Sequence, residues 1–216
     1  MHQPLMKSFS RFITPLILVI LLLSGGCSTR RSNLFTDNRD GSVYYYKNIN
    51  GFHWMTCNLN YINESIFCKG AWVFSYDKDE YKDALIRLKK NNSGVLYNYS
   101  SAMKEVPEGW RLPTSNEWRS LIESSVLKHN VEWSSLNIKL DGRARSFGKF
   151  CIYSGTTFWT SDRVVKSDGT VKCIAVVIDY SDNGEVKATF QEEDPDYAFY
   201  VRCVKRNPRY EKNTQK

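Results

Sequence analysis

The chain has 216 residues, of which 42% are hydrophobic and 14% aromatic. This is enough for one sizeable domain with short appendages, and too apolar for a disordered chain. Charged residues make up 25% and the net charge is +7, too mild a balance to argue for nucleic acid as the partner.

The elements begin with a leader. Lys7 and Arg11 precede a twelve-residue, mostly apolar run, Phe12 to Leu23. That run is short of the roughly 20 residues a bilayer-spanning helix needs and has the length of a signal-peptide core. Leu23-Ser24-Gly25-Gly26-Cys27 follows and resembles a bacterial lipobox, although Ser24 stands where the usual pattern has leucine. The resemblance implies cleavage after residue 26 and lipid attachment to Cys27, and Ser28 after it implies sorting to the outer membrane. An ordinary secretory leader cut nearby, or an uncleaved anchor, is the alternative. Loss of residues 1–26 leaves 28 bases and 23 acids. Residues 27–36 are polar and are expected to form a tether.

A β-hairpin is expected next. Tyr44 to Ile49 and Phe52 to Met55 are rich in β-formers, and Asn50-Gly51 between them suits a tight turn whose central residues both take positive φ. Residues 58–73 read as loop with short extended pieces. The stretch from Asp79 to Asn91 places Tyr81, Ala84, Leu85 and Leu88 at helical spacing, with acids at its start and Lys89-Lys90 at its end. Leu96 to Tyr99 reads as extended.

The densest run is Val106 to Trp118, VPEGWRLPTSNEW. Pro107-Glu108-Gly109 is turn chemistry. Thr114-Ser115-Asn116-Glu117 is a capping box, in which the threonine hydroxyl accepts from the amide three residues on and the glutamate reaches back. Trp118, Leu121, Ile122 and Val126 then share a helical face, with Trp110 and Leu112 buried on the approach. Short strands are expected at Thr156 to Thr160, Cys173 to Ile178, Val186 to Phe190 and Phe199 to Val204, with a turn at Ser181 to Gly184. Residues 207–216 form a basic polar tail, expected to fray. Its bases, with Lys205 and Arg206, read as a solvated end.

With these residues in hand, the chain resembles the Fibrobacter succinogenes major paralogous domain family. Asp37-Asn38-Arg39-Asp40-Gly41-Ser42-Val43-Tyr44 is similar to the family's D-x-R-D-G-x-x-Y. Trp54-Met55 with Asn58-Leu59-Asn60-Tyr61 is similar to its W-M-x-x-N-L-x-Y. Leu96-Tyr97 with Ala102-Met103, then Pro107-Glu108-Gly109-Trp110-Arg111-Leu112-Pro113 with Glu117-Trp118, follow in order. Phe158-Trp159-Thr160-Ser161 and Val201-Arg202-Cys203-Val204-Lys205 are similar to the closing blocks. The likeness covers residues 37–206. It marks Asp37, Arg39, Asp40, Gly41, Trp54, Gly109, Trp110, Leu112, Pro113, Glu117, Trp118, Trp159, Arg202 and Cys203 as fold-defining. Val106 stands where the family carries a cysteine before the proline. If that cysteine bridges to the V-R-C block, Cys203 has lost its partner, and Cys57 is a candidate substitute. Five cysteines remain beside Cys27 (Cys57, Cys68, Cys151, Cys173 and Cys203), so at most two bridges form in an exported chain. Free thiols with one bridge at most stay open as the other reading.

The R-L-P-T-x-x-E-W element also resembles formylglycine-generating and related sulfatase-modifying proteins of C-type-lectin-like architecture. The implied fold is α+β: two helices on a twisted, mainly antiparallel sheet, with long loops and the domain's ends close together. No catalytic motif accompanies it, since His2, His53 and His129 are the only histidines and no H-E-x-x-H or G-x-S-x-G occurs. Asp37 and Asp40 flank Arg39 and read as turn caps that pair with it. Glu192-Glu193-Asp194-Pro195-Asp196 is the densest acidic cluster and reads as a solvated loop, with calcium as the alternative. No cofactor, metal or catalytic residue is assigned.

The expected protein is therefore a lipid-anchored envelope protein. Its partners are the membrane, through the anchor, and a glycan or envelope protein bound by a non-catalytic module. A structural or assembly lipoprotein and, third, a sulfatase-modifying-type enzyme are the alternatives. Exposed aromatic rings stack on sugars, which makes Tyr45, Trp72, Tyr76, Tyr153 and Tyr197 the candidate ligand contacts.

Overall fold

The computed structural model describes residues 33–74, 80–91, 93–123, 136–138, 143–145, 149–151, 155–180, 186–208 and 210. The fold is α+β. Strands β1 (Leu34–Thr36), β2 (Val43–Ile49), β3 (Phe52–Met55) and β4 (Ala71–Val73) are followed by α1 (Tyr81–Asn91), β5 (Val95–Tyr97), α2 (Tyr99–Lys104) and α3 (Ser115–Glu123). Then come β6 (Arg143–Arg145), β7 (Lys149–Cys151), β8 (Thr156–Val165), β9 (Val171–Tyr180), β10 (Val186–Glu193), β11 (Phe199–Tyr200) and β12 (Val204–Arg206).

The expected single sheet is divided. A four-stranded sheet runs β1-β2-β3-β12 and a six-stranded sheet runs β10-β9-β8-β11-β5-β4, while β6 and β7 pair with each other. Among the described strands all strand–strand pairings are antiparallel except β11 with β8, where Tyr200 faces Phe158. The first and last of these strands thus form the two edges of one sheet. The stretch expected as one strand from Phe199 to Val204 leaves the larger sheet at Tyr200 and joins the smaller at Val204. Arg202, fully enclosed, sits at that crossing.

The inner part of the six-stranded sheet, namely β4, β5, β11 and the first half of β8, is buried on both faces, so these segments are apolar or small throughout instead of alternating, while β10 and the outer end of β8 carry exposed residues. Alternate residues feed two cores. Ala71, Val73, Val95, Tyr97, Trp159 and Phe199 join Ala84 and Leu88 of α1 and Ala102 of α2. Trp72, Leu96, Phe158, Val176, Ile178 and Tyr200 join Trp118 and Leu121 of α3, with Ile49 and Trp54 of the hairpin.

Among the described residues there are three helices where two were expected. Helix α2 was hidden because Leu96 to Tyr99 reads as β-prone. Asn98 ends that run by capping the helix, its side chain accepting from the Ser101 amide at 2.9 Å. Two domain edges also shift. β1 lies within the stretch expected to be tether and pairs with β2. At the other end, the Asn207 amide donates to the Gly51 carbonyl at 2.9 Å, so the basic tail begins docked on the hairpin turn. Gly51 is required there, with φ at 81° and a Cβ that would lie 2.9 Å from the Tyr210 ring.

The fold-defining blocks close local loops. The Asp37 carboxylate accepts from the Arg39 amide at 3.1 Å and from its Nε at 2.9 Å and a terminal nitrogen at 2.6 Å. Asp40 accepts from the Ser42 amide and hydroxyl, both at 2.9 Å, and Gly41 turns the chain at φ 74°. Arg39 also donates to the Glu105 carbonyl at 2.9 Å and lies 3.8 Å from the Tyr61 ring centre, so one guanidinium ties the first loop to the end of α2. Burial works to raise the Asp37 carboxyl, but the Arg39 hydrogen bonds outweigh it and hold it below the usual range.

Trp159 is fully buried, donates to the Tyr97 carbonyl at 2.7 Å and packs 4.4 Å from Phe199. Trp110 lies between Phe35 and Tyr46, and Leu112 and Pro113 are buried behind it. Cys57, Cys173 and Cys203 are free thiols, so the substitute bridge between Cys57 and Cys203 is not made. Both are instead neighbours of the Arg202 cation, and burial pushes both thiols up. The side chain of Cys151, the turn at 181–184 and Val126 lie outside the described residues.

Candidate functional site

The hairpin turn and the first turn of α3 meet, and a pocket opens between them. Asn50 and Gly51 take φ of 49° and 81°, the left-handed pair that an Asn-Gly hairpin turn needs. Asn50 spends its side-chain amide on α3, donating to the Ser120 carbonyl at 3.1 Å.

Helix α3 starts where the sequence places it. Thr114 Oγ1 accepts from the Glu117 amide at 3.1 Å, and Glu117 Oε2 accepts from the Thr114 amide at 2.8 Å, which completes the capping box. A long-range contact reinforces it. The β8–β9 pairing slips between Trp159 and Arg163, and this bulge directs Asp162 to the helix end, where its carboxylate accepts from the Ser115 amide at 2.7 Å. A negative group there suits both the free amides and the helix dipole.

Glu117 has a second duty. Arg111 grips it with two nitrogens, at 2.7 and 2.5 Å, donates also to the Leu112 carbonyl at 3.0 Å, and lies 5.5 Å from the Phe52 ring centre. Burial works to raise the Glu117 carboxyl, but the Arg111 and Thr114 hydrogen bonds prevail and keep it below its usual value. A depressed carboxylate contributes stability that is fully present above its unfolded pKa, near 4.5, and lost as the pH falls through the lower folded value. Glu117→Gln should therefore cost about 1–2 kcal/mol at neutral pH. Its urea midpoint should also fall less than the parent's as the pH drops below about 4.5. Equal slopes in the two proteins would count against this role.

The pocket holds about 160 Å³ and is lined by Asn50, Phe52, Trp54, Asn116, Glu117 and Ser120. Aromatic carbon from Phe52 and Trp54 lies beside two amides, a hydroxyl and a carboxylate already neutralised by Arg111. Such a lining offers donors, acceptors and ring edges without net charge, the chemistry that suits a neutral polyhydroxyl group or an amide. It is smaller than the ~300–1,000 Å³ of drug-sized sites, so it would take one ring or one side chain of a larger ligand.

The sequence-nominated aromatics are not gathered here. Tyr45 is 59% exposed on β2. Trp72 is buried in the second core, because the sheet is covered on both faces, and it offers no ring face to solvent. Tyr197 is half-buried, its ring edge-on to Phe199 at 6.3 Å. Tyr76 and Tyr153 lie outside the described residues. Asn50, Phe52, Asn116 and Ser120 were missed as site residues. The turn and capping motifs account for Asn50 and for the stretch holding Asn116, and nothing local says that the two segments meet.

Lys166 pairs with Glu192, and Lys172 approaches Asp194 at 3.6 Å, so two of the clustered acids face lysines. Among the described residues no group of three or more His, Cys, Asp or Glu is placed to hold a metal ion.

Comparison with known families matches residues 48–205 to the family described as the Fibrobacter succinogenes major domain. Comparison with curated proteins and with solved structures finds no match.

Proposed function

The chain belongs to the Fibrobacter succinogenes major domain family, and from that premise we propose that it is a lipid-anchored envelope protein whose domain is a non-catalytic binding module for glycan or protein. In this reading residues 1–26 are a leader, Cys27 carries the lipid, and the protein resides at the outer membrane. The domain is C-type-lectin-like, in keeping with its mixed α+β layers and with its first and last strands sharing one sheet. The single observation that carries the binding role is the pocket between the hairpin turn and α3, with its neutralised carboxylate and aromatic wall.

The test is an array of glycans and envelope proteins probed with residues 28–216, with and without calcium. Binding is expected in both conditions, because Glu192 and Asp194 already face lysines. Phe52→Ala and Asn116→Ala should each weaken it about tenfold or more, the scale of a single well-placed contact. Binding that survives both changes would remove the pocket from the site, and no binding at all would remove the module reading.

An assembly role is the second reading. It is favoured by the outer end of the β8–β9 hairpin, where Val164, Val165 and Val171 are 36%, 66% and 39% exposed.

A further inference from the structure

We infer that the outward face of β1 and β2 rests on the bilayer to which the anchor ties the domain; this rests on the lipid-anchor reading above. Leu34 stands directly opposite Tyr45, and Thr36 opposite Val43, so these side chains share one face of the sheet. Three of the four are apolar or aromatic and exposed: Leu34 at 41%, Val43 at 51% and Tyr45 at 59%. Lys47, two residues farther along β2, is exposed on the same face. On the reverse face Phe35 and Tyr44 stack on each other and Phe35 packs on Trp110.

The occupant is argued from the chain itself. Leu34 lies seven residues after Cys27, and seven residues reach at most about 24 Å. An anchor at Cys27 therefore holds this face within that distance of the lipid headgroups. Its chemistry suits that surface. Tyrosine favours the boundary between hydrocarbon and water, leucine and valine gain by entering it, and Lys47, with Arg30 and Arg31 in the tether, complements anionic phosphate. The pocket lies at the other end of β2. Asn50 is seven residues beyond Val43, about 23 Å along an extended strand, so seating the first end leaves the hairpin turn for a ligand.

Hydroxyl-radical footprinting tests this side chain by side chain. The acylated chain would be reconstituted in phosphatidylethanolamine–phosphatidylglycerol vesicles and compared with residues 28–216 free in solution. Oxidation of Leu34 and Tyr45 should fall at least threefold on vesicles. Ile86 and Val165, both 66% exposed, should not change and serve as internal controls. Leu34→Glu should restore Tyr45 oxidation on vesicles. Unchanged oxidation of Tyr45, or equal protection of the control residues, would overturn the inference. So would protection in the soluble chain that grows with protein concentration, since a second copy would then be the occupant. Intact mass reads the anchor separately. If Cys27 carries no lipid, the anchor reading falls, and the same footprint is taken on a chain held at its N-terminus by a histidine tag on nickel-chelating vesicles.

Discussion

Replacing Trp118 by alanine should lower the unfolding free energy by about 3–5 kcal/mol, the range for truncating a large buried aromatic. The ring is fully buried. It meets Trp54 edge-on at 5.1 Å and Phe158 at 5.3 Å, so it joins α3 to the hairpin and to the central strand β8 in one contact. Aromatic pairs of this geometry add to the area they bury. Its removal leaves a void bounded by three elements that are held elsewhere and collapse poorly. Equilibrium urea unfolding of the two proteins measures the difference. A midpoint equal to the parent's would show that α3 is held mainly by its capping contacts. A loss confined to α3, read by hydrogen exchange, would show that the helix unfolds apart from the sheet.

The second large effect is expected at Arg202. Its guanidinium is completely buried, and its partners are carbonyls and an amide in place of carboxylates. It donates to the Met55 carbonyl at 3.2 Å, the Leu136 carbonyl at 2.8 Å and Asn58 Oδ1 at 2.7 Å, and lies 5.6 Å from the Phe158 ring centre. Burial presses its pKa down to about 10, with Cys57 and Cys203 working in the opposite direction, so it remains a cation at neutral pH. Arg202→Ala leaves three buried acceptors without this donor and opens a cavity, for a loss of about 3–5 kcal/mol. Arg202→Met keeps most of the volume and removes the buried charge, so it should lose less than alanine does. Urea midpoints for both variants decide it. If methionine costs as much as alanine, the hydrogen bonds dominate; if alanine costs under about 1 kcal/mol, the crossing between the sheets does not depend on this residue.

The free thiols follow from the same enclosure. Cys203 sits beside Arg202 on the crossing segment, and its carbonyl accepts from the Met55 amide at 3.1 Å. With Val106 where a cysteine was expected, the core accommodates Cys203 as a small apolar residue.

Several features of this protein were determined by the sequence alone, because their physics is local. The Asn50-Gly51 turn needs only two residues tolerant of positive φ. The α3 start needs only Thr114 and Glu117 three apart. The Asp37–Arg39 loop closes within three positions, and the order of the blocks carried the family. The burial of Trp110, Leu112 and Trp118 followed from their spacing around a turn and a helix. Other features were decided only by the tertiary structure, because they depend on segments far apart in the chain. Phe199 to Val204 reads as one strand, yet its start pairs with β8 and β5 and its end, Val204, pairs with β3. Trp72 reads as an available ring until helices and hairpin cover both faces of its sheet. Asp162 caps α3 only because a bulge in β8 points it there. The pocket exists because the Ser120 carbonyl meets the Asn50 amide across 70 residues. Local propensity has no access to such a meeting, since strand register and the packing of layers are set by which apolar faces find each other on folding.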